Sequence, residues 1–193
     1  MSAAVNEIKY SSINTIDELL ISRVKTGLNA SLFAYPATLR GKSDYISYTA
    51  KDLDRFADKA ARKFASLSLI PEHSSATEAE VVAILAPSGL GYVVSIFALS
   101  RMGFAILFLP NRLSTEAYIN LLQKAKCRKL VAGSSNAGAA ELIQDQYLLS
   151  VFPYWKGTEK IPRSHLDSLS KHFISEYLQS YCIYYPFVRL EYI

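Results

Sequence analysis

Between residues 81 and 132 the chain alternates short, apolar runs with helix-like segments, and this alternation constrains the fold more than any other feature. Residues 81–86 form a continuous apolar run ended by Pro87-Ser88-Gly89. Residues 90–102 are apolar nearly all round and read as a buried helix, broken at Gly103. A second apolar run, 104–109, stops at Pro110. Ser114 can cap a helix that gathers Ala117, Tyr118, Leu121, Leu122 and Ala125. Residues 129–132 make a third strand ended by Gly133, and a further helix is expected over 137–146. Strands with no polar face must be covered on both sides, as happens in parallel sheets with crossover helices above and below. The expected fold class is α/β, with a three-stranded parallel βαβαβ core and right-handed crossovers.

The same stretch carries a single charge, Arg101, between residues 84 and 109. A transmembrane helix needs about 20 consecutive apolar residues. Here Pro87, Gly89, Gly91 and Gly103 divide the apolar runs, so the reading is a buried core and no membrane span. A length of 193 residues with 50% hydrophobic and 20% charged residues suits one globular domain. The net charge of +4 is small and scattered, which points away from a nucleic-acid partner. Cys127 and Cys182 show neither CxxC nor metal-type spacing, which excludes a disulfide scaffold or zinc finger. Residues 1–14 lack the apolar segment of a signal peptide, so the expected location is cytoplasmic.

Upstream, Thr15-Ile16-Asp17-Glu18 is a capping box, followed by Ile16, Leu19, Leu20 and Val24 on one face and Gly27 as a stop. The β-prone runs 32–35 and 45–48, joined by a Gly/Pro-containing loop, read as a hairpin. Residues 49–69 form a long amphipathic helix with Leu53, Phe56, Ala57, Ala60, Ala61 and Phe64 in one stripe. Its charged side reads as a solvated face in which Asp58 and Arg62 form an i,i+4 pair. Residues 71–80 read as a loop, and 151–154 as one more short strand. The expected organisation is a flexible 1–13, an incomplete domain over 14–153, and an atypical Tyr-rich tail over 154–193. Within that tail, 164–185 has irregular apolar spacing, and a genuine helix would place Phe173, Tyr177 and Tyr181 on one side.

No catalytic, cofactor-binding or metal-ligating residue is assigned. His73, His165 and His172 have no His or carboxylate at a helical metal spacing. There is no GxSxG elbow. Ser88-Gly89-Leu90-Gly91 follows a strand and opens a helix, the right context for a phosphate loop, but position 94 is Val where GxGxxG needs its third glycine. Gly133-Ser134-Ser135-Asn136-Ala137-Gly138 has GxxxxG spacing, with Ala139-Ala140 where Lys-Ser/Thr would grip phosphate and magnesium. Both read as turns opening helices. Lys124, Lys126, Arg128 and Lys129 cluster at a helix C-terminus, where they would compensate its dipole.

The order of these motifs resembles the N-terminal part of the adenylate-forming enzymes: acyl- and aryl-CoA synthetases, luciferases and the adenylation domains of nonribosomal peptide synthetases. The resemblance rests on Ile84-Leu85-Ala86-Pro87-Ser88, Tyr92-Val93-Val94, Phe97-Ala98, Arg101-Met102-Gly103-Phe104-Ala105 and the run to Pro110. It continues in Asn111-Arg112-Leu113-Ser114-Thr115-Glu116, and upstream in Ile46-Ser47-Tyr48-Thr49-Ala50-Lys51-Asp52-Leu53 and Thr15 to Leu20. Residues 48–61 and 97–109 look most like fungal, reductase-type noncanonical peptide synthetases. The resemblance implies intact relatives that use ATP and magnesium to activate a carboxylic acid. The acyl group would then pass to CoA or to a phosphopantetheine carrier, with a carrier or reductase domain as partner.

The family's Ser/Thr/Gly-rich loop with its Lys, its aromatic-Thr-Glu segment, its ribose-binding Asp and its C-terminal Lys are all missing here, and Phe104 stands where a small residue is common. The expectation is a truncated, catalytically incompetent fragment. Its last 30 residues read as the product of intron read-through or a frameshift. One alternative is a non-enzymatic α/β module that binds partners through an exposed sheet edge and the Tyr-rich tail. Another is a small nucleotide-binding domain using Gly89 and Gly91.

Overall fold

The computed structural model describes residues 13–27, 30–36, 44–72 and 79–155. The tail reading for 164–193 and all three histidines therefore lie outside the described residues. Helix α1 (Ile16–Lys25) starts at the expected capping box, with Thr15 Oγ1 accepting from the Glu18 N–H and Glu18 reaching back to the Thr15 N–H. Strands β1 (Ser31–Pro36) and β2 (Tyr45–Thr49) pair antiparallel as the expected hairpin. Thr49 ends β2 and caps α2 (Ala50–Ser66) through a second box with Asp52.

The alternation downstream becomes β3 (Val81–Leu85), α3 (Leu90–Arg101), β4 (Ala105–Phe108), α4 (Thr115–Lys124), β5 (Lys129–Ala132), α5 (Ala137–Gln144) and β6 (Ser150–Pro153). All sheet pairings are parallel, in the order β4-β3-β5-β6. The expected three strands are present, and β6 makes a fourth. Two cores follow from the strand pleat, because alternate side chains leave opposite faces. Val82 and Ile84 point to a layer with Leu20, Leu53, Ala57, Phe64 and Leu99 of α1, α2 and α3. Ala83 and Leu85 point to a layer with Tyr118, Leu122, Ala140 and Ile143 of α4 and α5. The sheet is therefore covered on both faces, as its apolar strands require. β4 is nevertheless an edge strand, half-buried, with Phe108 exposed. Its apolar sequence alone does not distinguish an edge from the centre. Among the described residues no helix is long and apolar enough to cross a membrane.

Two charged groups depart from the sequence reading. Asp54 and Asp58 of α2 do not sit on a solvated face: with Asp17 of α1 they surround Arg101, whose side chain is 6% exposed. Asp58 thus goes to Arg101 instead of Arg62. Lys129 does not compensate the α4 dipole. Its buried ammonium donates to Ile70 O at 2.9 Å and pairs with Glu80 at 2.6 Å and Glu72 at 3.1 Å. Desolvated cations of this kind need such partners, and removing one partner of a buried pair costs about 3–5 kcal/mol.

Three helices end in the same hydrogen-bonded motif. After α3 the Phe104 N–H bonds Leu99 O and the Gly103 N–H bonds Ser100 O, with Gly103 at φ +87°. After α2 and α4 the equivalent left-handed positions are Ser68 (φ 63°) and Lys126 (φ 50°). A side chain in this conformation costs about 1–2 kcal/mol, partly offset because glycine has more freedom to lose on folding. Lys126 is exposed. Lys126→Gly should therefore stabilise the chain by about 0.5–1 kcal/mol. Urea unfolding checks this; a lowered midpoint would show that the Lys126 side chain contributes more than its backbone strain removes.

Candidate functional site

In a doubly wound sheet, ligands bind outside the carboxyl ends of the strands, where neighbouring strands send their helices to opposite faces. Here that point lies between β3 and β5, because α3 packs in one layer and α5 in the other. The two loops that frame it, 86–89 and 133–136, are the two glycine-containing motifs of the sequence.

The loops meet closely. A Cβ on Gly133 would lie 3.0 Å from Pro87 Cδ and 3.3 Å from the Ala86 backbone. Ser88, Ser134 and Ser135 are exposed, and Ser135 Oγ donates to Asn136 Oδ1 at 3.1 Å. Asn136 Nδ2 reaches across to Asn111 Oδ1, at the end of β4, at 3.3 Å. Gly138 faces open space and has no packing role. The side chains of these two loops are neutral, so they offer hydrogen bonds but no acid, base or cationic clamp.

The start of α3 is filled. Gly89 provides no side-chain cap. After β6 the chain turns back, and Tyr154 and Trp155 lie against Gly91. A Cβ there would meet the Trp155 carbonyl oxygen and would come within 2.6 Å of Tyr154 Oη. Tyr154 Oη accepts from the Tyr92 N–H, in the first turn of α3, and so supplies the cap that Gly89 cannot. Tyr35 Oη closes the other side, 3.1 Å from where a Cβ on Gly89 would stand. Trp155 is tilted on Phe56 with centroids 5.8 Å apart, and Phe56 meets Tyr48 edge-on. Gly91 is thus a packing glycine, and the helix start is occupied by protein.

The sequence reading brought Gly89 and Gly91 to a helix start correctly, but did not find Tyr35, Tyr154 and Trp155 over them. Only the position of Tyr154, just past a strand, could have pointed to a contact with a neighbouring loop. Lys124, Lys126 and Arg128 are exposed near the end of α4. Cys127 is buried, which pushes its thiol up and leaves it a packing residue. Among the described residues no group of His, Cys, Asp or Glu could hold a metal ion.

This architecture is the fold of the N-terminal domain of adenylate-forming enzymes. It is similar to an acyl-CoA synthetase of Brucella canis, with a TM-score of 0.55 at 17% identity over 74% of this chain and 24% of that one. A benzoate CoA ligase of Burkholderia xenovorans gives a TM-score of 0.54 at 12% identity, over 73% of this chain and 26% of that one. A fatty acyl CoA synthetase of Mycobacterium tuberculosis gives 0.53 at 15% identity, over 72% and 26%. In sequence, the chain is 24% identical over 149 residues to the long-chain fatty acid transport protein 6 of Homo sapiens. That match covers 71% of this chain and 23% of the human protein. No family model matches. The chain thus spans about a quarter of the length of these proteins.

Two outcomes follow from the seal over α3. Alanine is the better helix former by about 1 kcal/mol, but at Gly91 its methyl would displace backbone. Overpacking of that kind costs about 1–3 kcal/mol. Gly91→Ala should therefore lower the denaturant midpoint; an unchanged or higher midpoint would show that the Trp155 segment yields without cost. The second outcome concerns alkali. Burial, with the neighbouring Tyr35, pushes the Tyr154 phenol up to about 12, against an ordinary value of 10.0. Between those pH values the unfolded chain has lost the proton that the folded chain keeps, so this contribution is complete below pH 10 and is lost toward pH 12. Wild type should lose stability more steeply across that range than Tyr154→Phe, as followed by circular dichroism at fixed urea. Parallel slopes would show that the phenol is not sealed on folding.

Proposed function

We propose that this chain is a portion of an acyl-adenylate-forming enzyme, one that activates a carboxylic acid with ATP and magnesium and passes the acyl group to a thiol, CoA or carrier-bound. The single observation that carries this reading is the fold. Its helix, hairpin, long helix and parallel α/β core together match CoA ligases over 72–74% of the chain. The 24%-identical human protein supports the same direction. The finer reading, a reductase-type synthetase of fungal kind with carrier and reductase partners, is supported by the sequence motifs around Arg101 and Gly103.

We further propose that the chain by itself does not adenylate. Phosphate clamping needs cationic or backbone donors aimed at the transferring group. The described residues do not fit a nucleotide: the α3 start is filled by Tyr154 and Trp155, and the loops at the switch point present neutral side chains. No step through ATP can be derived from them. The proposed organisation keeps 14–153 as an incomplete subdomain, with the observation that Tyr154 and Trp155 still pack on α3 and α2. The alternative, a non-enzymatic interaction module, is favoured by the open edges β4 and β6 and by exposed Leu142 and Leu148 beside β6.

Pyrophosphate exchange with a panel of fatty, aryl and amino acids tests the proposal. The purified 193-residue chain should show no carboxylate-dependent exchange above a heat-inactivated control. Exchange above that control would overturn the incompetence reading.

A further inference from the structure

Three carboxylates share one cation where α1, α2 and α3 meet. The guanidinium of Arg101 bonds Asp17 of α1 through Nε at 3.0 Å and a terminal nitrogen at 2.8 Å. It bonds Asp54 Oδ1 at 2.6 Å and the Asp54 carbonyl at 3.2 Å, and it also bonds Asp58 Oδ1. The formal charge of the cluster is one positive against three negative, a net −2. The side chains of Arg101 and Asp17 are 6% and 10% exposed, whereas those of Asp54 and Asp58 are 29% and 32% exposed. The charged groups that act on Asp17 are Arg101 from α3 and Asp54 and Asp58 from α2.

We infer that this cluster is a proton-binding clasp, in which Asp17 takes up a proton as α1 docks, so that the N-terminal helix is held more tightly on the acid side. The reasoning is electrostatic. Asp54 and Asp58 reach water and keep their charge with little cost, and between them they neutralise Arg101. Asp17 is the most buried of the three acids and brings a further charge that no cation balances. A protonated Asp17 removes that charge and still offers an oxygen to the guanidinium. In agreement, burial, with Asp54 and Asp58 adding to it and Arg101 opposing, pushes the Asp17 carboxyl above the ordinary aspartate range. An acid whose proton is held more tightly when folded contributes stability that is complete below the ordinary value of 3.8 and is lost as pH rises through the raised one. An ordinary buried salt bridge has the opposite sign.

The test compares the full chain with Asp17→Asn, which keeps the shape of the protonated acid, by urea unfolding from pH 8 to pH 5. The expected result is that the wild-type midpoint rises relative to Asp17→Asn as pH falls. Amide exchange of α1 should slow in the wild type over the same range. A relative midpoint that is flat, or that falls on acidification, would overturn the proposal and leave Asp17 as a plain ion-pair partner. Asp54→Asn provides an independent arm if Asp17→Asn does not fold. Removing one competing carboxylate should weaken the pH dependence of α1 protection, and unchanged dependence would equally overturn the clasp.

Discussion

A guanidinium buried at the end of an apolar helix cannot stay there without acceptors, and the placement of three helices follows from that need. Arg101 is the only charge in the segment from Ile84 to Leu109, and it emerges at the last turn of α3, where the helix dipole is negative and favours a cation. Its partners come from α1 and from successive turns of α2, so that the first helix, the long amphipathic helix and the sheet-covering helix are tied at one point. Leu20, Leu53, Ala57 and Phe64 complete the same layer with apolar contact. The layer is thereby oriented by polar groups and cohesive through apolar burial.

On the other side of the sheet no comparable charge is needed. Leu122, Leu130, Ile143 and Ala140 close the second core, and Tyr118 turns its hydroxyl to Pro110 O at 2.6 Å. The contrast explains why α4 and α5 could be placed from periodicity alone, whereas the α1–α2–α3 layer could not. It also bears on function. Open α/β sheets use the carboxyl ends of their strands for ligands, and in this chain that end is partly closed by its own aromatic residues. The family likeness is accordingly one of scaffold.

Much of the scaffold was legible in sequence. Thr15 and Thr49 head capping boxes whose residues lie within four positions of each other, and a capping box depends on nothing distant. The three apolar runs became parallel strands because a strand without a polar face has no stable place outside a covered sheet. Gly103 ended α3 as expected, yet Ser68 and Lys126 adopt the same left-handed position without glycine, so the residue type alone would have missed two of these stops. Of the candidate site, the glycine loops were placed correctly at the ends of β3 and β5. Their closure was not legible, because Tyr35 and Tyr154 are about 50 to 60 residues from Gly89 and Gly91 in the chain.

What the sequence determined by itself was therefore the kind and order of the elements, their caps and most of their ends. These are set by backbone hydrogen bonding and by the period at which apolar side chains recur, both of which act over a few residues. Only the tertiary structure decided that β4 lies at the edge, that β6 joins as a fourth strand, that Lys129 is buried, and that Arg101 gathers Asp17, Asp54 and Asp58. These are contacts across 43 to 84 residues for Arg101 and 59 for Lys129 with Ile70. They arise when packing removes water from a charge, which must then find its partners in whatever elements the fold has brought alongside.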